Sequence, residues 1–244
     1  MYIMDIFRIL FIVALIGLLV YVINYLFFQQ NKALSKCTPA TKKQEIKAKK
    51  LKGSHNDNNY AYSIWFYVTD WQYRLSESKD LLVRGSMSGH SSPRITLAPY
   101  ENNLTVSITT VQQKTNDVYN GLAGRPPSKD HNCTIENFPL QRWVNLIVSL
   151  NNRTLDLYLD GKLVRTCILP APAKIHNNAP VLITPGGGFK GFTSNLQFFT
   201  DPLNPQQCFN IYRAGPKCDS DFLSKYKLKV TYLVDNKEEA EFTI

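Results

Sequence analysis

The chain has 244 residues, 44% of them hydrophobic, which suits one globular domain of ordinary size or two small ones. Its formal net charge is +9, yet residues 31–52 alone hold eight lysines and one glutamate, a net charge of +7. No interleaving of arginine and aromatic residues accompanies these lysines, so the charge does not indicate a nucleic-acid-binding protein.

The N-terminal segment has the composition of a membrane span. From Ile9 to Phe28 no residue is charged, and Asn24 is the only clearly polar one. Twenty helical residues cover about 30 Å, the thickness of the hydrocarbon core of a bilayer. The apolar run is longer than the roughly 7–15 residues of a cleaved signal peptide, and no small-residue cleavage site follows it. We predict a retained single-pass anchor over residues 1–30; a cleaved signal or a buried soluble helix is the alternative.

The residues after this span are rich in lysine, and we predict a juxtamembrane linker over residues 31–59. Lysines beside a span attract anionic lipid headgroups, each contributing about 1 kcal/mol. Because positively charged flanks stay on the cytoplasmic side, we expect the C-terminal domain to face the cytosol. The lysines expected at the membrane surface are Lys32, Lys36, Lys42, Lys43, Lys47, Lys49, Lys50 and Lys52.

Three N-glycosylation sequons, which begin at Asn103, Asn132 and Asn152, favour the opposite orientation. Such triplets arise readily by chance in a chain rich in asparagine and threonine, so the cytosolic orientation stays our expectation.

The cysteines are compatible with two disulfides and one spare thiol, or with reduced, buried thiols. The most local pairing would join Cys133 to Cys167 and Cys208 to Cys218, with Cys37 left over. The sequence does not decide the connectivity.

From Tyr60 onward the pattern is that of an all-β domain. Short runs that alternate in polarity predict strands at 60–68, 81–84, 94–98, 104–109, 143–150, 154–159, 162–167, 181–184 and 192–200. The dipeptide Asp160-Gly161 between two such runs predicts a tight hairpin. Residues 112–132 form a long polar loop, and residues 204–212 a short helical turn. We predict an antiparallel jelly-roll sandwich over residues 60–215.

Residues 216–244 form a C-terminal extension of mixed composition. Leu228, Val230 and Tyr232 alternate within it, so the extension has the pattern of an added strand or of a segment that grips a neighbour.

Several runs resemble the laminin-G-like, concanavalin A-like jelly rolls. The hairpin of residues 143–148 (WVNLIV) and 154–164 (TLDLYLDGKLV) is similar to the signature hairpin of that family, and Trp143, Tyr158, Asp160 and Gly161 are its structural residues. The run at 62–68 (YSIWFYV) resembles the opening strand, and the runs at 188–199 (GFKGFTSNLQFF) and 210–215 resemble the close of the domain. The resemblance implies the fold; because the superfamily includes lectins, adhesion modules and hydrolases, it does not choose the function.

The architecture of one N-terminal anchor and one such domain also resembles virion membrane proteins of large nucleocytoplasmic DNA viruses. That resemblance implies a domain that bridges an internal membrane and a capsid shell.

No catalytic residues are predicted. The hydrolases of the superfamily carry E-x-D-x-x-E on one strand, and this motif is absent. Asp156 and Asp160 share a strand face, but the turn explains Asp160 and solvent exposure explains Asp156.

No metal site is predicted either. No C-x-x-C or H-E-x-x-H spacing indicates zinc. Calcium, which the resemblance makes a candidate cofactor, would need loop carboxylates such as Asp70, Asp80, Asp117 and Asp130, and none lies in a D-x-D-x-D run.

The best candidates for a binding rim are aromatic and basic residues in predicted loops, because aromatic faces stack on sugars and anchor protein partners. These residues are Trp71, Tyr73, Arg74, Tyr119 and Arg125. Trp65 and Trp143 lie in predicted strands and are expected in the core.

The sequence therefore predicts a non-enzymatic, membrane-anchored interaction module. Its partners would be the lipid bilayer and a protein scaffold such as a capsid shell. The alternative is a carbohydrate-binding receptor that faces outward; such a receptor would be glycosylated and disulfide-bonded.

Overall fold

The computed structural model describes residues 14–15, 17–19, 33–51, 59–85, 91–111, 129–175 and 178–218, with the backbone of 229–234 and 237–243. The chain divides into two units, Met1–Lys32 and Ala33–Ile244. In the first unit, residues 14–15 and 17–19 are helical, and the rest of the predicted anchor lies outside the described residues. Among the described residues, no helix has the length and apolar character needed to cross a bilayer.

The regular structure described in the second unit consists mainly of strands. Its described elements are β1 (Thr38–Pro39), β2 (Gln44–Ile46), β3 (Tyr60–Asp70), β4 (Lys79–Gly85), β5 (Ser91–Leu97), β6 (Leu104–Thr110), β7 (Lys129–Ile135), β8 (Trp143–Asn151), β9 (Thr154–Leu159), β10 (Lys162–Ile168), β11 (Val181–Ile183), β12 (Lys190–Phe199), helix α1 (Pro205–Arg213), β13 (Lys229–Val234) and β14 (Lys237–Thr243). Two short 3₁₀ helices, Ala48–Lys50 and Pro185–Gly187, lie between strands.

The strands form two six-stranded antiparallel sheets. Sheet A has the order β1-β12-β3-β8-β9-β10, and sheet B has the order β2-β11-β4-β5-β6-β7. A separate hairpin consists of β13 and β14. The predicted all-β, two-sheet jelly-roll sandwich is thus confirmed.

The core lies between the inner faces of the two sheets. Tyr62, Ile64 and Phe66 alternate along β3 and are buried, as are their register partners on β8. Sheet B contributes buried aliphatic side chains such as Leu82 and Ile95. Burying one large apolar side chain contributes about 1.5–3 kcal/mol, so this cluster is the main source of stability.

The tight turn between β9 and β10 has the predicted form. Asp160 and Gly161 both have positive φ angles, +50° and +74°, as a two-residue hairpin loop requires. The carboxylate of Asp160 accepts bonds from the backbone N–H of Asn145 and from Arg142. A Cβ at position 161 would lie 3.0 Å from the Cα of Phe209, so α1 also packs on this turn.

The Lys-rich segment is part of the sandwich, so the predicted domain boundary at Tyr60 is wrong. Strand β1 pairs with β12, and β2 pairs with β11. Ala40, Ile46 and Leu51 are buried between the lysines. Strands of two and three residues are too short to show an alternating pattern, and this is why the sequence reads as a linker.

The described lysines of this segment are all exposed. They are Lys36, Lys42, Lys43, Lys47, Lys49 and Lys50, whereas Lys32 and Lys52 lie outside the described residues. The positive charge is therefore carried on the surface of the folded domain.

Strand β7 occupies the end of the predicted loop at 112–132, the rest of which lies outside the described residues. Its polar residues bond along sheet B: Asp130 accepts from the Thr109 hydroxyl and Asn132 from the Ser107 hydroxyl. Cys133 and Ile135 are buried. Because the first four residues of β7 are polar, the sequence shows no alternation of polar and apolar residues there.

Two disulfides brace the sandwich. Cys133 on β7 is joined to Cys167 on β10, which links the edge of sheet B to the edge of sheet A. Cys37 is joined to Cys218, and Cys208 is a free, buried thiol. The predicted pairing of Cys208 with Cys218 is therefore wrong. Cys208 lies on α1 and faces sheet A, whereas Cys218 is bonded to Cys37, just before β1.

Removal of the Cys133–Cys167 disulfide should destabilise the domain. Its partners are 34 residues apart, and closing a loop of that length stabilises the folded state by about 2–4 kcal/mol. We expect the Cys133→Ala/Cys167→Ala variant to lose this amount of unfolding free energy in a denaturant titration. After reduction, wild type and variant should unfold at nearly the same denaturant concentration; a difference that persists would assign the loss to packing instead of the bridge.

Candidate ligand-binding site

Two of the residues predicted for the rim, Trp71 and Arg74, are engaged within the domain. The indole N–H of Trp71 donates to the carbonyl of Tyr100, and its ring packs against Phe138. Arg74 bonds to Glu77 and to the carbonyl oxygen of Gly186, which fastens its loop to the Pro185–Gly187 turn. Trp71 and Arg74 therefore hold loops in place.

Of the other predicted rim residues, only Tyr73 is among those that the structure describes. Tyr73 is half-buried, and Tyr119 and Arg125 lie outside the described residues. Lys79, which no sequence pattern singled out, is buried with its Nζ 4.6 Å from the centre of the Trp71 ring. Burial lowers the pKa of this amine, and the charge of Arg74 lowers it further. Its contact with Trp71 is a cation–π interaction that supports the same loop.

An aromatic row crosses the outer face of sheet A. Phe192 on β12 is the register partner of Tyr67 on β3, and Tyr67 is the register partner of Trp143 on β8. Register partners on adjacent strands project from the same face of a sheet. The rings of Tyr67 and Trp143 meet edge to face, with centroids 5.7 Å apart. We call Phe192, Tyr67 and Trp143 the aromatic row.

The aromatic row is accessible to solvent. Phe192 is 41% exposed, and Tyr67 and Trp143 are partly exposed. With strands about 4.8 Å apart, the row is about 10 Å long between its outer strands. The expectation that Trp143 lies in the core is therefore wrong: it lies on the opposite side of sheet A from the core.

Helix α1 covers the neighbouring half of this face. Asn204 caps the helix and forms a capping box with Gln207. Cys208 packs there with Ile147 and Tyr158 of the sheet.

Trp65, which alternates with Tyr67 along β3, marks the edge of the covered half. Its ring stacks on Tyr212 of α1, with centroids 5.7 Å apart and an angle of 16° between the planes. The boundary between the covered and open halves therefore falls between Trp65 and Tyr67.

Polar groups line the covered half beside the aromatic row. Asn145 is the register partner of Trp65, and its amide donates to the Ser63 hydroxyl. The segment after α1 is bonded to β12, since Ser194 donates to the carbonyl of Pro216 and Asn195 to that of Gly215. The Cys37–Cys218 disulfide holds the end of this segment.

Two charged pairs lie at strand ends of sheet A. Arg142, which precedes Trp143, lies 2.6 Å from the carboxylate of Asp160. Lys190 and Asp70, at the ends of β12 and β3, lie 3.2 Å apart. The N–H of Gln72 and the ammonium of Lys190 both hold the pKa of Asp70 below its usual value. Arg142 and Asp160 therefore bring both signs of charge to the end of the row at Trp143.

A glycine keeps the strands of the row close together. Gly191 precedes Phe192 and has a φ of +156°. A Cβ at this position would overlap the carbonyl oxygen of Tyr67. Only glycine allows β12 to approach β3 here, so it is part of what places Phe192 beside Tyr67.

Several of the described carboxylates have partners within the chain. Asp156 accepts from the Thr166 hydroxyl, and Asp80 pairs with Arg94. In the part of the chain that the structure describes, no three histidine, cysteine or acidic residues lie together as a metal site would need. Asp117, one of the candidate calcium ligands, lies outside that part.

The aromatic row is the feature that sequence reasoning missed. Its members are distant in the chain, and only the register of β3 with β8 and β12 brings them together. The alternation along β3 predicts that Tyr67 and Trp65 lie on the same face. It does not predict which part of that face a helix covers.

Comparison with known proteins supports the fold. The sequence model of the concanavalin A-like lectin/glucanases superfamily matches residues 41–208. A mutant of the protein HCR/D has a similar structure, with a TM-score of 0.54 and 10% identity over 76% of this chain and 44% of that chain. The binding domain of botulinum neurotoxin DC, solved in complex with rat synaptotagmin II, has a TM-score of 0.50 and 11% identity over 70% of this chain and 40% of that chain.

These likenesses concern the fold alone, because the identities are low. The matched part covers less than half the length of each of those two chains. No curated protein sequence matches the chain.

The environment of Cys208 predicts an unreactive thiol. Burial raises the pKa of Cys208 to about 12, and the charge of Asp156 raises it further. An ordinary thiol has a pKa of about 8.5, and only the thiolate is alkylated. At pH 8 iodoacetamide should therefore leave the native chain unmodified and should add one group per chain in denaturant without reductant, measured by intact mass. Rapid labelling of the native chain, or more than one thiol after unfolding, would contradict this assignment.

Proposed function

The chain belongs to the concanavalin A-like lectin/glucanase superfamily, and we propose that it is a membrane-anchored binding module that holds a glycan on the open half of sheet A. The observation that carries this proposal is the aromatic row of Phe192, Tyr67 and Trp143, which lies across three adjacent strands and is accessible to solvent. Large aromatic side chains that stay accessible on a rigid sheet are available for a ligand.

The chemistry of the surroundings favours a glycan. The C–H faces of a sugar ring stack on aromatic side chains, and its hydroxyl groups need donors and acceptors nearby. The Arg142–Asp160 pair, which begins one residue before Trp143, offers a donor and an acceptor. A length of about 10 Å suits a glycan of roughly two sugar units. A protein partner that docked here would instead bury these charges, and their removal from water would cost binding free energy.

The proposed activity is binding without catalysis. Glycoside hydrolysis needs two free carboxylates on either side of the scissile bond. The carboxylate of Asp160 accepts hydrogen bonds from Arg142 and from the backbone N–H of Asn145, and that of Asp156 accepts one from Thr166. The carboxylates nearest the aromatic row therefore have structural partners.

The anchor and the orientation belong to the proposal as well. The uncharged run from Ile9 to Phe28 supports an anchor. The two disulfides support an oxidising compartment, and thus a domain that faces outward, in place of the cytosolic orientation expected from the lysines.

A second candidate function is the tethering of a membrane to a protein scaffold, such as a capsid shell, on the cytosolic side. The exposed lysines at positions 36–50 favour it, because a basic surface soon after a span suits the cytoplasmic leaflet. The two candidates differ in orientation and in ligand.

Glycan binding is tested with the full chain in detergent on a glycan array, followed by titration of the best ligand. We expect Phe192→Ala and Trp143→Ala each to weaken binding by about tenfold, because each removes one stacking surface. Phe209→Ala is the matched control: Phe209 is 42% exposed, close to the 41% of Phe192, but lies on α1. It should bind like wild type.

Two outcomes would contradict the glycan proposal. If the chain binds no glycan on the array, glycans are not its ligands. Binding that survives both substitutions would place the ligand elsewhere on the domain.

Orientation is tested in cells that express the full chain. An outward-facing domain should be protected from protease added to sealed vesicles, and glycosidase should increase its mobility on a gel through loss of glycans at the sequons. Ala substitution of Asn103, Asn132 and Asn152 together is the control and should abolish the shift. An unmodified domain that the protease digests would favour the tether.

A further inference from the structure

Strand β10 is an exposed edge of sheet A. Its hydrogen bonds run to β9, and it is the last strand in the order of the sheet. Leu163, Val164 and Ile168 are 51%, 46% and 71% exposed. An edge of seven residues with three exposed aliphatic side chains is a template for another strand.

The other described edges of the two sheets are less suited to such pairing. Strands β1 and β2 have only two and three residues. On β7, residues 129–132 are polar, and Cys133 and Ile135 are buried, so this edge has no exposed aliphatic side chain. The apolar edge is thus specific to β10 within the described sandwich.

The charges on β10 select the kind of strand that fits. Lys162 and Arg165 are its charged residues. Like charges oppose pairing of β10 with a second β10, whereas an acidic strand would complement them.

The chain itself contains an acidic strand of the same length. Residues Lys237–Thr243, the strand β14, have the sequence KEEAEFT with three glutamates. In the structure β14 pairs with β13, in a sheet of two strands. An isolated two-stranded hairpin is marginally stable in water, so it gains from joining a larger sheet.

We propose that β14 of a second copy adds to the β10 edge of sheet A. When β14 of each copy pairs with β10 of the other, the two contacts are identical, and the assembly closes as a two-fold dimer. Backbone hydrogen bonds between β10 and β14 provide the affinity. The basic residues of β10 and the glutamates of β14 favour this pair over a pair of two β10 strands. This inference does not depend on the glycan proposal, because β10 lies three strands from β3 in sheet A.

The experiment measures the dimer dissociation constant of the full chain in detergent by sedimentation equilibrium. We expect Val164→Lys to raise this constant by at least about tenfold. Val111→Lys is the matched control, since Val111 is also 46% exposed but lies after β6. Deletion of residues 229–244 should have the same effect as Val164→Lys.

A charge exchange tests the identity of the occupant. Lys162→Glu/Arg165→Glu and Glu238→Lys/Glu241→Lys should each weaken the dimer, and the combination should recover most of the affinity. A monomeric wild type, or a dimer that Val164→Lys leaves intact, would overturn the proposal. A dimer that survives deletion of 229–244, or charge variants that do not rescue each other, would overturn β14 as the occupant.

Discussion

Strand β3 hydrogen-bonds to β12 on one side and to β8 on the other, and most of its side chains on both faces are buried. Its inward residues anchor the core of the sandwich. Its outward residues, Trp65 and Tyr67, divide the outer face of sheet A into a half covered by α1 and a half left open. A shift of one residue in its register would exchange these two sets, so the core, the site of α1 and the aromatic row all depend on this register.

The fold was largely predictable because its main strands are long enough to alternate. The runs around Tyr62, Leu104 and Trp143 have the pattern of strands, and the dipeptide Asp160-Gly161 specifies its own turn through backbone conformation. The signals are local, and they agree with one another and with the family resemblance. This agreement is what allows a single sequence to predict a two-sheet sandwich.

The parts that were missed depend on contacts between distant residues. Strands β1 and β2 exist because β12 and β11 offer them partners, and a run of lysines hides their few buried residues. The Cys37–Cys218 disulfide joins residues 181 positions apart, which spacing alone cannot reveal. The position of Trp143 on the outer face follows from its register with Tyr67, and register between strands is a tertiary property.

Helix α1 and the segment after it determine how much of sheet A is open to a ligand. The capping box fixes where the helix begins, and the bonds from Ser194 and Asn195 fix the path of the chain beyond it. The Cys37–Cys218 disulfide then ties that path to the segment before β1. The covered half is therefore held in place at several points.

We propose that a ligand binds to the open half of sheet A. Hydroxyl-radical footprinting of the full chain, with and without its best glycan, measures this directly at side chains. We expect the ligand to lower the oxidation of Phe192, Tyr67 and Trp143 and to leave that of Phe209 and Tyr100 unchanged. Unaltered oxidation of the aromatic row at saturating ligand, with protection on another surface, would contradict it.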